Sequence, residues 1–131
     1  MGLDELVRNA SRVYVVGNGG SHANSEHVTN DLLAQGIRAY TINAATLTRN
    51  GNDLGYENIF SAWLEVVGEK GDLLIALSGS GKSPNILKAC EVAERIGMKV
   101  WRAFGVPVGF GMQDAEAAQL AIGHYRYKER A

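Results

Sequence analysis

The chain is poor in cysteine and proline: its 131 residues include one cysteine and two prolines. Cys90 has no partner for a disulfide within the chain, which excludes a disulfide scaffold and favours a reducing compartment such as the cytoplasm. Because Cys90 falls in a predicted helix, we interpret it as a buried structural thiol.

A dominant charge and a long hydrophobic run are also missing. The 13 Lys and Arg residues against 14 Asp and Glu residues give a formal net charge of -1, with no basic run and no acidic tail. This balance does not favour general attraction to nucleic acid or to an anionic membrane. No apolar run reaches the roughly 18 residues that a membrane span needs, and Asp4 and Glu5 are untypical of a signal peptide. We therefore predict a cytoplasmic protein without nucleic-acid or membrane partners, in which any anion is bound locally.

What the chain has is an alternation of short apolar runs with segments of helical periodicity. These patterns predict strands at 13–16, 39–42, 73–77 and 99–104, and helices at 21–35, 56–67 and 83–96. The first and third strands are almost continuously apolar, as is typical of strands buried in a parallel sheet. Length and a hydrophobic content of 46% suit a single domain over residues 1–131. We predict an α/β fold with its ligand site at the carboxyl ends of the strands.

Glycine and serine are concentrated where two of these strands end. Residues 17–21 read GNGGS, and residues 78–83 read SGSGKS. Free N–H groups and the dipole at the start of a helix can bind an anion. Taken alone, the first loop is equally explained by Ser21 capping its helix. Two such loops at one edge of the sheet favour a shared phosphate site.

A rival interpretation of the second loop is a nucleotide-binding P-loop. Residues 76–83 depart from the pattern G-x-x-x-x-G-K-[ST] at one position, where Ala76 replaces the first glycine. The strand predicted at 99–104 lacks the aspartate that would help to hold magnesium. We therefore favour phosphate binding without nucleotide hydrolysis.

These residues resemble the sugar isomerase (SIS) domain family, and within it the phosphoheptose isomerases. The similarity rests on four segments: GNGGS followed by His27, NDLGY at 52–56, SGSGKSPN at 78–85, and a last helix at 113–124. The resemblance implies a flavodoxin-like three-layer sandwich with a parallel sheet. It also implies conversion of sedoheptulose 7-phosphate to D-glycero-D-manno-heptose 7-phosphate through an enediol, in a homotetramer. Compared with the family, the chain is shortened before Val13 and near residues 101–107, and Lys82 stands where asparagine is common.

The resemblance further implies roles for individual residues. The substrate-binding residues it implies are Asn18, Gly19, Gly20, Ser21, Asn52, Asp53, Ser78, Gly79, Ser80, Ser83 and Glu116. It implies a zinc ion held by His27, Asp31, Glu116 and His124, with Asp31 as catalytic base and His124 as acid.

The spacing of these residues in the sequence supports some of them as ligands of one ion and argues against others. His27 and Asp31 are four residues apart, so they share one face of the predicted helix, although such pairs are common on protein surfaces. Eight helical residues rise about 12 Å, so Glu116 has to reach forward to share an ion with His124.

Two functions from different classes remain open. The first is a phosphoheptose isomerase that assembles as a homo-oligomer, a tetramer or a dimer, because the shortened start leaves apolar surface for a second subunit. The alternative is a non-catalytic SIS module that binds a sugar phosphate or a protein partner. The shortened chain favours the module, whereas the predicted metal and acid–base residues favour the enzyme.

Overall fold

One parallel sheet forms the centre of the computed structural model, which describes residues 2–105 and 112–127. Its strands are β1 (Val13–Gly17), β2 (Ala39–Tyr40), β3 (Leu73–Ser78) and β4 (Lys99–Phe104), in the order β2-β1-β3-β4. Every residue of β1 and β3 is buried, as their apolar runs predicted. The four predicted strands are confirmed, although β2 is shorter than the predicted 39–42. Residues 106 and 107, in the segment expected to be shortened, lie outside the described residues.

Six helices accompany the strands in the described part of the chain. They are α1 (Leu3–Asn9), α2 (Gly20–Ala34), α3 (Ala44–Leu54), α4 (Ile59–Val67), α5 (Pro84–Ile96) and α6 (Met112–His124). The helix predicted at 56–67 is divided into a 3-10 turn, Tyr56–Asn58, and α4. Neither α1 nor α3 was predicted. None of the helices in these ranges is long and apolar enough to cross a membrane.

Side chains of β1 and β3 alternate between two apolar cores, one on each face of the sheet. Tyr14 and Val16 of β1 pack with α4 and α5, while Val13 and Val15 pack with α1 and α2. Apolar residues of α3 and α6 pack at the margins of the first and second core respectively. The helices therefore cover both faces, which confirms the predicted three-layer α/β sandwich.

Cys90 lies on α5 within the first core, where it is 1% exposed. Burial raises the pKa of its thiol above the ordinary value. The predicted burial of Cys90 is confirmed.

Candidate functional site

A cavity of about 200 Å³ opens at the carboxyl ends of β1 and β3. The residues that line it come from both predicted loops and from α6: Asn18, Ser21, Leu77, Ser78, Gly79, Ser80, Ser83 and Glu116. We call the four serines of this cavity, Ser21, Ser78, Ser80 and Ser83, the serine cradle. The fold thus brings together two loops that lie far apart in the sequence, at the sheet edge where α/β proteins bind ligands.

Three hydroxyls of the serine cradle already accept a hydrogen bond from an N–H group. The donors are Gln119 Nε2 to Ser21 Oγ (3.1 Å), the Gly81 amide to Ser78 Oγ (3.0 Å) and the Lys82 amide to Ser80 Oγ (3.1 Å). The Ser78 and Ser80 oxygens are 3.5 Å apart. A hydroxyl has one hydrogen to donate besides its acceptor lone pairs. The cradle can therefore offer hydroxyl hydrogens to a bound anion.

Glu116 places a carboxylate in the same cavity. A Cβ atom on Gly20 would lie 1.9 Å from Glu116 Oε2, so the carboxylate takes the space that a side chain at Gly20 would need. An ionised carboxylate only accepts hydrogen bonds. The cavity thus combines several donors with one acceptor, which suits a phosphate ester that carries a neighbouring hydroxyl.

An amide pair ties the first loop to the start of α5. Asn18 Nδ2 donates to Asn85 Oδ1 and Asn85 Nδ2 donates to Asn18 Oδ1, each at 2.8 Å. The Tyr56 hydroxyl donates to the same Asn18 oxygen at 3.2 Å. Asn85 is only 2% exposed. These three residues also line a second cavity of about 480 Å³, which shares Asn18 and Ser83 with the first.

His27, Asp31 and His124 form a compact group between α2 and α6. The Nε2 atoms of the two histidines are 3.3 Å apart, and Asp31 Oδ2 lies 3.4 Å from His27 Nε2 and 3.5 Å from His124 Nε2. Asp31 Oδ2 is buried and has no hydrogen-bond partner among the described residues. The helices approach closely here because position 123 is glycine: a Cβ there would lie 2.7 Å from Asp31 Oδ2.

This group fits a metal ion. A tetrahedral zinc ion with ligand bonds of about 2.0–2.1 Å keeps its ligand atoms about 3.3 Å apart, which is the spacing seen here. Two imidazole nitrogens and one carboxylate oxygen are also a donor set that zinc accepts. A cation would satisfy the buried oxygen of Asp31, which has no hydrogen-bond partner among the described residues. Glu116 is not part of the group, which is formed by His27, Asp31 and His124 alone among the described residues.

Residues 3–102 match the family model described as "SIS domain". The chain belongs to the SIS domain family. This confirms the predicted resemblance, and because residues 76–83 lie inside the match, the P-loop interpretation is not supported.

Curated relatives of this SIS domain are phosphoheptose isomerases. Those of Histophilus somni and an Enterobacter species are 35% and 34% identical to it, with 98% of the chain aligned to 69% and 70% of the relative. The Chlorobaculum parvum enzyme is 38% identical over 92% of the chain and 61% of the relative. The chain thus spans about two thirds of the length of these relatives.

Two solved structures of phosphoheptose isomerases share the fold of this SIS domain. The Neisseria gonorrhoeae structure has a TM-score of 0.85 at 24% identity, and covers 92% of this chain and 78% of its own. The Francisella tularensis structure has a TM-score of 0.78 at 27% identity, and covers 92% and 79%. The predicted flavodoxin-like SIS sandwich is confirmed by these neighbours.

Some predicted substrate residues of the SIS domain lie apart from the cavities. Asn52 and Asp53 are exposed at the end of α3, where Asn52 Nδ2 donates to Asp53 Oδ1 at 2.9 Å, and they line neither cavity. Gly19, the N-cap residue of α2, has φ of 55°, a left-handed conformation that favours glycine, and it does not line the cavity. The roles of these residues stay predictions.

Sequence reasoning assigned no role to four residues that support this site. Tyr56 and Asn85 are the last residues of two recognised motifs, and that position was their signal. Asn24 and Gln119 bond to each other beside Ser21, and because they lie on different helices no local pattern predicts this contact.

Two residues of the first cavity, Ser21 and Glu116, lie on the same pair of helices as the histidine group, α2 and α6. Ser21 and His27 are six residues apart on α2, a rise of about 9 Å, and Glu116 and His124 are eight residues apart on α6, a rise of about 12 Å. An extended heptulose phosphate has this length scale.

Proposed function

We propose that this chain converts sedoheptulose 7-phosphate to D-glycero-D-manno-heptose 7-phosphate, as an aldose–ketose isomerase of carbohydrate metabolism. The observation that carries the proposal is a hydroxyl-rich cavity that shares α2 and α6, through Ser21 and Glu116, with a His–Asp–His group. A phosphate at the cradle and a reacting carbonyl at the histidines would span this separation. The names of the curated relatives support the same reaction.

The serine cradle would hold the phosphate of the substrate. Its hydroxyls can donate, and the starts of α2 and α5 add their positive dipole ends beside the two loops. Glu116 would accept a hydrogen bond from a hydroxyl of the sugar. Gly79 and Asn18 line the same cavity and would approach the ligand with backbone or amide groups.

Proton transfer would take place at the His–Asp–His group. Asp31 would remove a proton from C1 and return it to C2, while the C2 oxygen gains a proton and the C1 hydroxyl loses one. His124, whose side chain is 60% exposed beside Asp31, would exchange the proton with the oxygens as the acid.

Zinc is the metal that we propose for this group, with His27, Asp31 and His124 as ligands. When bound, zinc supplies Lewis-acid polarisation of the substrate oxygens. A carboxylate that shares one oxygen with a metal keeps the other for proton transfer, so Asp31 can serve both roles. His124, if bound through Nε2, would exchange its proton through Nδ1. The buried Asp31 oxygen, which has no hydrogen-bond partner among the described residues, and the spacing of the three ligand atoms support this assignment.

The proposed reaction is tested with purified protein and sedoheptulose 7-phosphate. We expect zinc-dependent formation of the aldose, followed by NMR, and calorimetric binding of the sugar phosphate without magnesium-dependent binding of ATP. Sugar-phosphate binding with no conversion in the presence of zinc would instead identify a non-catalytic SIS module. Tight binding of ATP with magnesium would contradict the phosphosugar assignment altogether.

A homo-oligomer, a tetramer or a dimer, is the assembly that we propose. Apolar side chains near the ends of α2 and α6 support it, since Leu33 is 52% and Tyr125 51% exposed, and Gln35 bonds to the Tyr125 carbonyl at 2.8 Å. Light scattering on a size-exclusion peak is expected to give the mass of at least two chains at micromolar concentration. A mass of one chain would contradict this prediction.

A further inference from the structure

The hydrogen bonds around Ser21 determine which way its hydroxyl can act. Ser21 Oγ accepts from Gln119 Nε2 at 3.1 Å, and Ser21 donates to no acceptor among the described residues. Ser21 is 7% and Gln119 4% exposed, so little solvent reaches this bond. With a donor already on its oxygen, the Ser21 hydroxyl has its hydrogen free for the cavity that it lines.

The orientation of Gln119 is itself set by a second amide. Asn24 Nδ2 donates to Gln119 Oε1 at 3.0 Å and to the Glu116 carbonyl oxygen at 2.8 Å. A flipped Gln119 amide would place two N–H donors against each other at Asn24, and an oxygen against Ser21 Oγ. Asn24 therefore keeps the NH₂ group of Gln119 on the serine.

We infer that Gln119 is a positioning residue, which presents the Ser21 hydroxyl as a hydrogen-bond donor to the phosphate of the sugar phosphate. This inference rests on the proposed function and adds a residue to it. Ser78 and Ser80 are held in the same sense by the backbone amides of Gly81 and Lys82, which no substitution can reverse. Gln119 donates from its side chain, so a substitution can replace this hydrogen-bond donor with an acceptor.

Gln119→Glu inverts that polarity with little change of shape. Asn24 can still donate to the new carboxylate, whereas the Ser21 hydroxyl would turn to donate to it and be lost to the phosphate. Hydrogen bonds to charged groups contribute enough that we expect the Kd for sedoheptulose 7-phosphate to rise about tenfold or more. In kinetics KM should rise by a similar factor while kcat changes little, because a contact made equally before and during the reaction is lost.

Gln119→Met separates positioning from support of the fold. It removes both hydrogen bonds of the amide but does not draw the Ser21 hydroxyl away, so we expect a smaller loss of affinity, about threefold or less. Both variants are expected to be less stable than the unsubstituted protein, Gln119→Glu because it buries a charge at a position that is 4% exposed, so affinities are measured well below both Tm values. A merely structural Gln119 would instead give the two folded variants the same loss of affinity, and that result would overturn the inference.

The new carboxylate of Gln119→Glu could also weaken binding by repelling the phosphate. The control is to repeat Gln119→Glu in a Ser21→Ala background. Calorimetry then measures the binding of sedoheptulose 7-phosphate and of inorganic phosphate. We expect most of the loss to disappear there, because the hydroxyl that the carboxylate captures is gone. An equal loss in both backgrounds would assign the effect to charge and overturn the inference. Unchanged affinity of Gln119→Glu, with normal binding by the unsubstituted protein, would overturn the inference alone. Failure of the unsubstituted protein to bind the sugar phosphate would overturn the proposed function together with it.

Discussion

Asp31→Asn and His124→Ala are each expected to lower turnover of sedoheptulose 7-phosphate by about 10²–10⁴-fold, the usual scale for loss of a general base or acid. Asparagine keeps the shape of Asp31 but cannot take up the proton from C1. Alanine removes the ring whose Nε2 lies 3.5 Å from Asp31 Oδ2. The initial rate of aldose formation with zinc supplied measures both effects.

The matched control is Glu26→Gln, which removes a carboxylate charge from an exposed position of α2 next to His27. It should change turnover by less than about twofold, since exposed single charges contribute little. Calorimetric phosphate binding should persist in all three variants because the serine cradle is untouched. Turnover of Asp31→Asn within tenfold of the unsubstituted protein would contradict its role as the base.

The zinc content of the same samples distinguishes a role of Asp31 as metal ligand from a role as catalytic base. Loss of zinc in Asp31→Asn and in His124→Ala would point to shared ligand roles. Loss of turnover with zinc retained would point to proton transfer.

Gly17→Ala is expected to reduce the free energy of unfolding by about 3 kcal/mol, the upper part of the range for overpacking. An added Cβ would lie 2.6 Å from the Ser21 carbonyl oxygen, 2.7 Å from its carbonyl carbon and 2.8 Å from its Cβ. Two of these atoms are backbone at the start of α2, so the helix itself has to move. Urea unfolding measures the loss, and phosphate affinity should fall as well, because Ser21 moves with the helix.

Gly51→Ala is the matched control for this substitution. It makes the same change within α3, where the added Cβ would meet only Ile59 Cγ2, at an ordinary 3.6 Å. Alanine is favoured over glycine inside a helix, so stability should stay the same or rise by up to about 1 kcal/mol. Equal losses for both glycines would show that the approach of Ser21 to β1 is not what requires Gly17.

The sequence predicted the sheet better than the helices between its strands. β1 and β3 are short apolar runs bounded by turn residues, and β4 is a mixed run, KVWRAF, that contains valine and two aromatic residues. Such runs identify strands without knowledge of their partners. Helix α3 was missed because residues 44–54 are rich in threonine and asparagine and contain Gly51, all weak helix formers. Its start depends on the Asn43 side chain, which accepts from the Thr46 amide at 2.8 Å.

The candidate site was predictable as a set of motifs but not as a network. Recognised segments supplied the serines and the histidines, whose roles stay predictions. The 12 Å rise between Glu116 and His124 argues against a shared ion, and Glu116 lies outside the group of His27, Asp31 and His124 among the described residues. The bonds that orient the site join residues 67 positions apart, in the Asn18–Asn85 pair, and 98 positions apart, in Gln119 and Ser21. No local pattern records such pairings, because they exist only after the sheet has placed the helices.

The order β2-β1-β3-β4 has a consequence for biosynthesis. On one side, β1 pairs with β2 at only two residues. On the other side, all five residues of β1 pair with Leu73 to Leu77 of β3, which are synthesised about sixty residues later. At about 5–20 residues per second, a ribosome needs several seconds to supply that partner. During this interval the nascent chain presents an unpaired strand edge on a segment that is wholly buried in the finished protein, which is the kind of surface that chaperones bind and that aggregates.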